Sequence, residues 1–229
     1  MKYFSRLIAI VLFILLIPLF LLVSIISLIS QGRPIIYKQT RIGFNFSPFT
    51  IYKFRSLHKS SEGINSFSTG KAYTATRWGS FIRKSKIDEL PQLFNIIKGD
   101  MVFIGPRPEL PEFVNFLSFK YLDKIKPGLS SYSSILFRDE SYKFDFLNKE
   151  DSYDEVLNIK TYLDNFYTNR KSLFEDSKLV FFTILSIFFP KMMAKFFSNY
   201  VFNLCGDKIF TFKSRIISNS LEFNDKSKS

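Results

Sequence analysis

The chain has 229 residues, a length suited to one domain with attachments. Lys and Arg number 32 against 20 Asp and Glu, a net charge of +12, and the 46% hydrophobic content with 29 Phe excludes a disordered or fibrous chain. A single cysteine, Cys205, excludes an internal disulfide and a multi-cysteine metal cluster, and a single histidine, His58, excludes a His-rich metal centre. Catalysis therefore has to rest on carboxylates, hydroxyls, Lys and Arg. The positive excess leaves nucleic acid, anionic lipid and phosphorylated substrates as partners.

Leu7 to Ser30 carries no charge and is almost entirely Leu, Ile, Val and Phe. A straight helix of that length would reach about 36 Å, enough for a hydrocarbon core of about 30 Å. The run is too long for a signal-peptide core and lacks a small-residue cleavage site, so it is expected to be retained. Pro18 falls near its middle and predicts a helix break. Lys2 and Arg6 precede the run, Arg33, Lys38 and Arg41 follow it, and no acidic residue occurs before Glu62. Basic residues at both ends favour two cytoplasmic ends. A helix broken at Pro18 that dips in and returns meets both observations; a kinked spanning helix is the alternative.

Gln31-Gly32-Arg33-Pro34 punctuates the exit. Ile35–Tyr37 and Phe49–Tyr52 are expected as short strands around a turn at Gly43-Phe44-Asn45, followed by a polar loop from Ser60 to Thr69. A basic stretch with Arg77, Arg83, Lys84 and Lys86 leads to a predicted helix over Leu90–Ile97, closed by Gly99-Asp100. Pro106-Arg107-Pro108 cannot be helix interior. Pro111 to Tyr121 has a helical pattern rich in aromatics. From Asp139 to Asp176 the charge reverses, so the positive excess belongs to the other segments. Leu179 to Phe189 is apolar but short for a span, and fits an interfacial or a core helix equally. The tail beyond Ser218 is mostly polar, and no internal repeat is present.

Asp88-Glu89 is the most suggestive pair. Adjacent helical residues point about 100° apart, so the two carboxylates would not share a proton as a dyad. If Asp88 caps a helix, Glu89 and Pro91 fall in its first turn, where free N–H groups favour a phosphate. The plain alternative is an ordinary N-cap followed by a first-turn acid. Arg83, Arg107, Lys53 and Arg55 surround the pair in sequence, with Arg suited to bidentate phosphate contact and Lys to a point-charge contact. Taken singly, each is also readable as a solvated surface charge. No Walker loop, Gly-x-Gly-x-x-Gly or His-based triad occurs.

Taken together, four stretches resemble the small monotopic phosphoglycosyl transferases, the bacterial sugar transferase family. They are Tyr52-Lys53-Phe54-Arg55-Ser56; Arg83-Lys84-Ser85 leading into Asp88-Glu89-Leu90-Pro91-Gln92-Leu93-Phe94-Asn95; Lys98-Gly99-Asp100-Met101 with Gly105-Pro106-Arg107-Pro108; and Lys126-Pro127-Gly128-Leu129. The resemblance runs from about Lys2 to about Phe189.

The resemblance implies transfer of a sugar 1-phosphate from a UDP-sugar to undecaprenyl phosphate with release of UMP, initiating a lipid-linked surface glycan such as capsule or O-antigen. It implies Asp88 as a nucleophile forming a covalent phosphosugar, Glu89 as its partner in proton handling or positioning, and Mg²⁺ held at Asp88. Lys53, Arg83 and Arg107, with Arg55 behind them, are the implied diphosphate contacts. Arg138, a further implied phosphate contact, aligns with the Arg that ends the family's Pro-Gly loop, and Asp176 with a late Asp of structural role. The break at Pro18 matches the family's re-entrant helix.

The expected architecture is α/β and mostly helical. Residues 1–31 form a re-entrant membrane hairpin, 32–189 a small cytoplasmic module with interfacial amphipathic helices, and 190–229 a basic extension outside the resemblance. The expected location is the cytoplasmic face of the bacterial inner membrane, with downstream glycosyltransferases as further partners and no nucleic acid. The sequence departs from the family at Ser5 in place of an Asp, at Ile17-Pro18 in place of Ser-Pro, and at Leu129-Ser130-Ser131-Tyr132-Ser133-Ser134 in place of Thr-Gly-Trp-Ala-Gln. A hydrolase using the same site and a non-catalytic membrane scaffold are the competing readings.

Overall fold

The computed structural model describes residues 2–57, 76–137 and 152–205. His58, the Ser60–Thr69 loop, Arg138, the acidic residues up to 151 and the tail beyond Ser218 lie outside them. The described chain is mostly helical with two two-stranded sheets, in agreement with the expected class. It divides into two compact units, Met1–Leu129 and Ser130–Ser229.

In the first unit the long apolar run forms two helices, α1 (Lys2–Leu15) and α2 (Ile17–Gln31), bent by 60° at Leu16. Pro18 lies in the first turn of α2 rather than at the bend. Its ring cannot sit against the carbonyl one turn earlier, so the helix breaks upstream and proline keeps a position where its missing N–H is tolerated. No single described helix is long and apolar enough to cross a membrane; the bent pair reaches that length and composition only when its two helices are taken together. One face of the pair is exposed and apolar, with Tyr3, Leu7, Leu21 and Ile29 uncovered. The other face is packed inside the unit: Ala9 shares a core with Ile51, Leu93, Ile96 and Met101, and Val23 shares one with Phe54 and Ile82.

Strands β1 (Ile36–Ile42) and β2 (Pro48–Phe54) pair antiparallel, Ile36 opposite Phe54 and Ile42 opposite Pro48. The expected turn between them is a single 3₁₀ turn, Phe44–Phe46, in which Asn45 and Phe46 take positive φ. Helix α3 (Arg77–Lys84) is capped by Thr76, whose hydroxyl accepts from Gly79 N–H at 2.9 Å. Trp78 Nε1 donates to Ser27 Oγ at 2.8 Å and ties α3 to α2.

Helix α4 (Gln92–Lys98) ends at Gly99, whose φ of 88° gives the left-handed C-cap. Asn95 clamps α4 to β2, since its Oδ1 accepts from Tyr52 N–H and its Nδ2 donates to Thr50 O. Strand β3 (Val102–Ile104) pairs with β4 (Gly128–Ser130). Here Gly105 and Gly128 touch so closely that a Cβ on Gly128 would lie 2.1 Å from Gly105 N.

The helix expected over Pro111–Tyr121 is not formed. The segment contains two short 3₁₀ turns, Pro111–Phe113 and Lys120–Asp123. Between them Asn115 Oδ1 accepts from Leu117 N–H at 2.9 Å, a local bond that competes with helical pairing.

The second unit consists of α5 (Tyr132–Leu136), α6 (Ser152–Arg170), α7 (Leu173–Phe188) and α8 (Pro190–Cys205). Tyr132, Leu163, Tyr167, Leu179, Phe197 and Val201 are buried in it. The apolar run at Leu179 falls within α7, which buries Leu179 and exposes Phe181, Ile184 and Phe188. Met193, Phe197 and Val201 recur every four residues on α8 and are all buried, so the first part of the 190–229 segment packs within this unit.

Candidate active site

The loop between α3 and α4 turns sharply at Lys86, which takes a left-handed φ of 61°, and continues as a 3₁₀ turn over Ile87–Glu89. Asp88 is inside that turn. It is not the N-cap of α4, whose first residue follows Pro91 without any side-chain cap. The turn buries both carboxylates, Asp88 to 7% and Glu89 to 9% exposure.

The two acids have different surroundings. Lys53, near the end of β2, donates from Nζ to Glu89 Oε1 at 3.0 Å. Arg107, fixed in the Gly-Pro-Arg-Pro turn after β3, donates from Nη2 to the same oxygen at 2.6 Å. Burial alone would raise the Glu89 pKa, but the charges of Arg107, Lys53 and Lys86 and the Arg107 hydrogen bond override it and hold the carboxyl well below the ordinary glutamate range. Lys53 is itself pushed down by burial, which exceeds the opposing pull of Glu89. Arg41 braces the neighbouring backbone, donating to Glu109 Oε1 at 3.1 Å and to Pro108 O at 3.4 Å.

Asp88 Oδ1 is buried and has no hydrogen-bond partner among the described residues. Burial, and then the adjacent Glu89 charge, raise the Asp88 pKa against the opposing charges of Lys53, Lys86 and Arg83. Asp88 is thus a desolvated carboxyl with an unpartnered buried oxygen, beside a glutamate that holds two cations on one of its oxygens. Two carboxylates and the cations of Lys53, Arg83, Lys86 and Arg107 leave two positive charges in excess, matching a diphosphate.

Of the residues singled out in the sequence, Lys53, Asp88, Glu89 and Arg107 are brought together, and Arg83 acts on Asp88 through space. Arg55 is not at the carboxylates. It is 3% exposed, and its guanidinium donates to Arg33 O and Gly32 O at 3.0 Å each and to Gln31 O. It closes the end of α2, because the carbonyls of a helix C-terminus lack intrahelical partners and attract a cation.

Asp176 in the second unit accepts from the Tyr167 hydroxyl, and Pro18 is in α2 as described. Arg138 lies outside the described residues. The atypical serine loop is itself buried: Ser131 caps α5, and Tyr132 donates its hydroxyl to Glu175 Oε2 at 2.6 Å.

Sequence reading missed Gln92, Lys86 and the Arg41–Glu109 pair. Gln92 is 1% exposed with its Nε2 unpartnered. The signal for it was its position four residues after Asp88.

Among the described residues no three His, Cys, Asp or Glu side chains cluster as a metal cage. Magnesium does not require one, since it is commonly held by one or two carboxylates together with substrate phosphates and water. The Asp88 carboxylate, with no cation or donor hydrogen-bonded to it among the described residues, supplies a hard oxygen donor of the right kind, so the residues present fit the ion.

The bacterial sugar transferase family model matches residues 1–190. A UDP-N-acetylgalactosamine-undecaprenyl-phosphate N-acetylgalactosaminephosphotransferase of Aeromonas hydrophila is 35% identical over 74% of this chain and 39% of its own length. An uncharacterized sugar transferase of Bacillus subtilis is 31% identical over 68% of this chain and 71% of its own. A UDP-glucose:undecaprenyl-phosphate glucose-1-phosphate transferase of Xanthomonas campestris pv. campestris is 30% identical over 74% and 35%. The chain thus spans well under half the length of the first and third of these relatives. The four motif stretches, three of which supply the buried Asp88–Glu89 turn and the Lys53, Arg83 and Arg107 cations around it, all lie within the matched residues, and the chain belongs to the bacterial sugar transferase family.

Proposed function

We propose that the protein transfers a sugar 1-phosphate from a UDP-sugar to undecaprenyl phosphate at the cytoplasmic face of the inner membrane, releasing UMP. The observation that carries this reading is the division of labour between the two acids: Glu89 is engaged by Lys53 and Arg107, whereas Asp88 keeps a buried oxygen without a partner. Asp88 Oδ1 attacks the β-phosphorus, the phosphoanhydride bond breaks, and its electrons leave on the UMP phosphate. A phosphate oxygen of the lipid then attacks the aspartyl-bound phosphorus and returns the Asp88 carboxylate. Splitting the transfer lets one site serve a water-soluble donor and a membrane acceptor in turn.

The raised proton affinity of Asp88 makes it a stronger nucleophile than a solvated aspartate, while the cations around it oppose its protonation. Lys53, Arg83 and Arg107 offset the diphosphate charge that would repel an incoming carboxylate. Glu89 stays ionised and is suited to holding Lys53 and Arg107 in place rather than to exchanging protons. Magnesium, held by Asp88 and substrate phosphate oxygens, would supply further charge neutralisation to the leaving phosphate. The bent α1–α2 pair, with its uncovered apolar face, is read as the membrane hairpin that brings the site to a lipid acceptor.

The test uses purified full-length chain with Mg²⁺, undecaprenyl phosphate and a panel of UDP-sugars, following UMP. Lipid-dependent UMP that vanishes in Asp88→Asn, together with a protein mass increase of one phosphosugar when lipid is withheld, is the expected result. UMP formed equally without lipid would instead identify a hydrolase. A functional Asp88→Ala protein in cells would favour a scaffold.

A further inference from the structure

Four buried side-chain atoms among the described residues have no hydrogen-bond partner: Gln31 Oε1, Arg55 Nε, Asp88 Oδ1 and Gln92 Nε2. The first two belong to the cap at the end of α2, where Gln31 Nε2 donates to Arg55 O and the Arg55 guanidinium nitrogens donate to three carbonyls. The other two stand four residues apart around the catalytic turn. The backbone between them stays right-handed helical, with Leu90 at φ −53°, ψ −37° and Pro91 at φ −60°, ψ −15°. Residues four apart on such a backbone lie on one side of it.

An unpaired buried donor or acceptor opposes folding, so two on one turn call for a reason. Asn95, on the same helix and equally buried, is the contrast: its oxygen and nitrogen both have backbone partners on β2. The Gln92 nitrogen is a donor only and the Asp88 oxygen an acceptor, and neither satisfies the other. A phosphate is the chemical complement of both, offering an electrophilic phosphorus to the carboxylate and an acceptor oxygen to the amide.

Resting on the transferase reading above, we infer that Gln92 touches the substrate, its side-chain amide donating from Nε2 to a non-bridging oxygen of the phosphate that Asp88 attacks. Such a contact holds the phosphorus in line with the nucleophile. It also serves the β-phosphate alone, so a nucleoside monophosphate would not use it.

Calorimetric titration of the full-length chain with UDP and with UMP, in Mg²⁺, tests this. The variants are Gln92→Met, which keeps the length of the side chain without a donor, and Gln92→Leu as a second replacement. The expected result is about a tenfold loss of UDP affinity with UMP affinity unchanged, at an unfolding temperature no lower than wild type because an unpaired polar group has been removed. Wild-type UDP affinity in both variants would overturn the inference and indicate a water bound between the two groups. Equal weakening of both nucleotides with a lowered unfolding temperature would overturn it in favour of a purely structural glutamine. A wild-type protein that binds neither nucleotide would overturn the transferase reading itself, and the inference with it.

Discussion

Lys53 and Arg107 donate to a single oxygen, Glu89 Oε1, at 3.0 and 2.6 Å. The two cations come from β2 and from the Gly-Pro-Arg-Pro turn, so one carboxylate oxygen joins three separate segments of the first unit beside Asp88. Glu89→Gln removes the charge that holds them and leaves two half-buried cations facing a neutral amide. A loss of about 3 kcal/mol is expected, readable in chemical denaturation, together with loss of transfer. The pH dependence has a definite sign. The Glu89 carboxyl is depressed in the fold, so its stabilisation is present above the ordinary value of 4.5 and is lost as pH falls through the lower folded value. Glu89→Gln should flatten that part of the acid-unfolding profile.

Asp88→Asn should behave in the opposite way, inactive yet more stable. The Asp88 pKa is raised above 3.8, so ionising it costs the fold stability as pH rises from 3.8 through the higher folded value. Neutral asparagine removes that cost. A rise of about 2–4 °C in unfolding temperature at neutral pH, corresponding to about 1 kcal/mol, is the expected outcome. A fall would mean that the cations around Asp88 outweigh its burial.

Arg55→Lys tests the reassignment of Arg55 from phosphate contact to helix cap. A lysine cannot reproduce the planar fork that donates to the carbonyls of Arg33, Gly32 and Gln31. Stability should drop by about 2 kcal/mol, whereas the KM for the UDP-sugar in the folded fraction should stay at the wild-type value. A raised KM with unchanged stability would return Arg55 to the substrate.

Gly128→Ala places a methyl group 2.1 Å from Gly105 N and 2.6 Å from Gly105 Cα, both backbone atoms that cannot move independently. The β3–β4 pairing must then open next to the turn carrying Arg107. We expect a destabilisation of about 3 kcal/mol with weakened transfer, checked by thermal unfolding. Gly32→Ala is the control: its added Cβ meets nothing within 4 Å, but its φ of 70° makes the cost one of backbone strain alone.

What the sequence determined by itself was local. The uncharged run with its proline pointed to a broken apolar helix, two short strand-like stretches on either side of Gly43-Phe44-Asn45 pointed to a hairpin, and Gly99 pointed to a helix stop, because each depends on side chains and dihedrals within a few residues. The motif stretches also contain Lys53, Asp88, Glu89 and Arg107, which the fold brings together. Tertiary structure decided what each charge touches. Arg55 follows Lys53 by two residues on one strand, yet only Lys53 reaches Glu89, while Arg55 reaches the end of α2. Composition cannot separate two such cations, because the partner of each is set by chain segments distant in sequence. The same holds for the two acids: Asp88 and Glu89 are chemically alike and adjacent, and only the folded surroundings give one of them two cations and leave the other a buried oxygen without a partner.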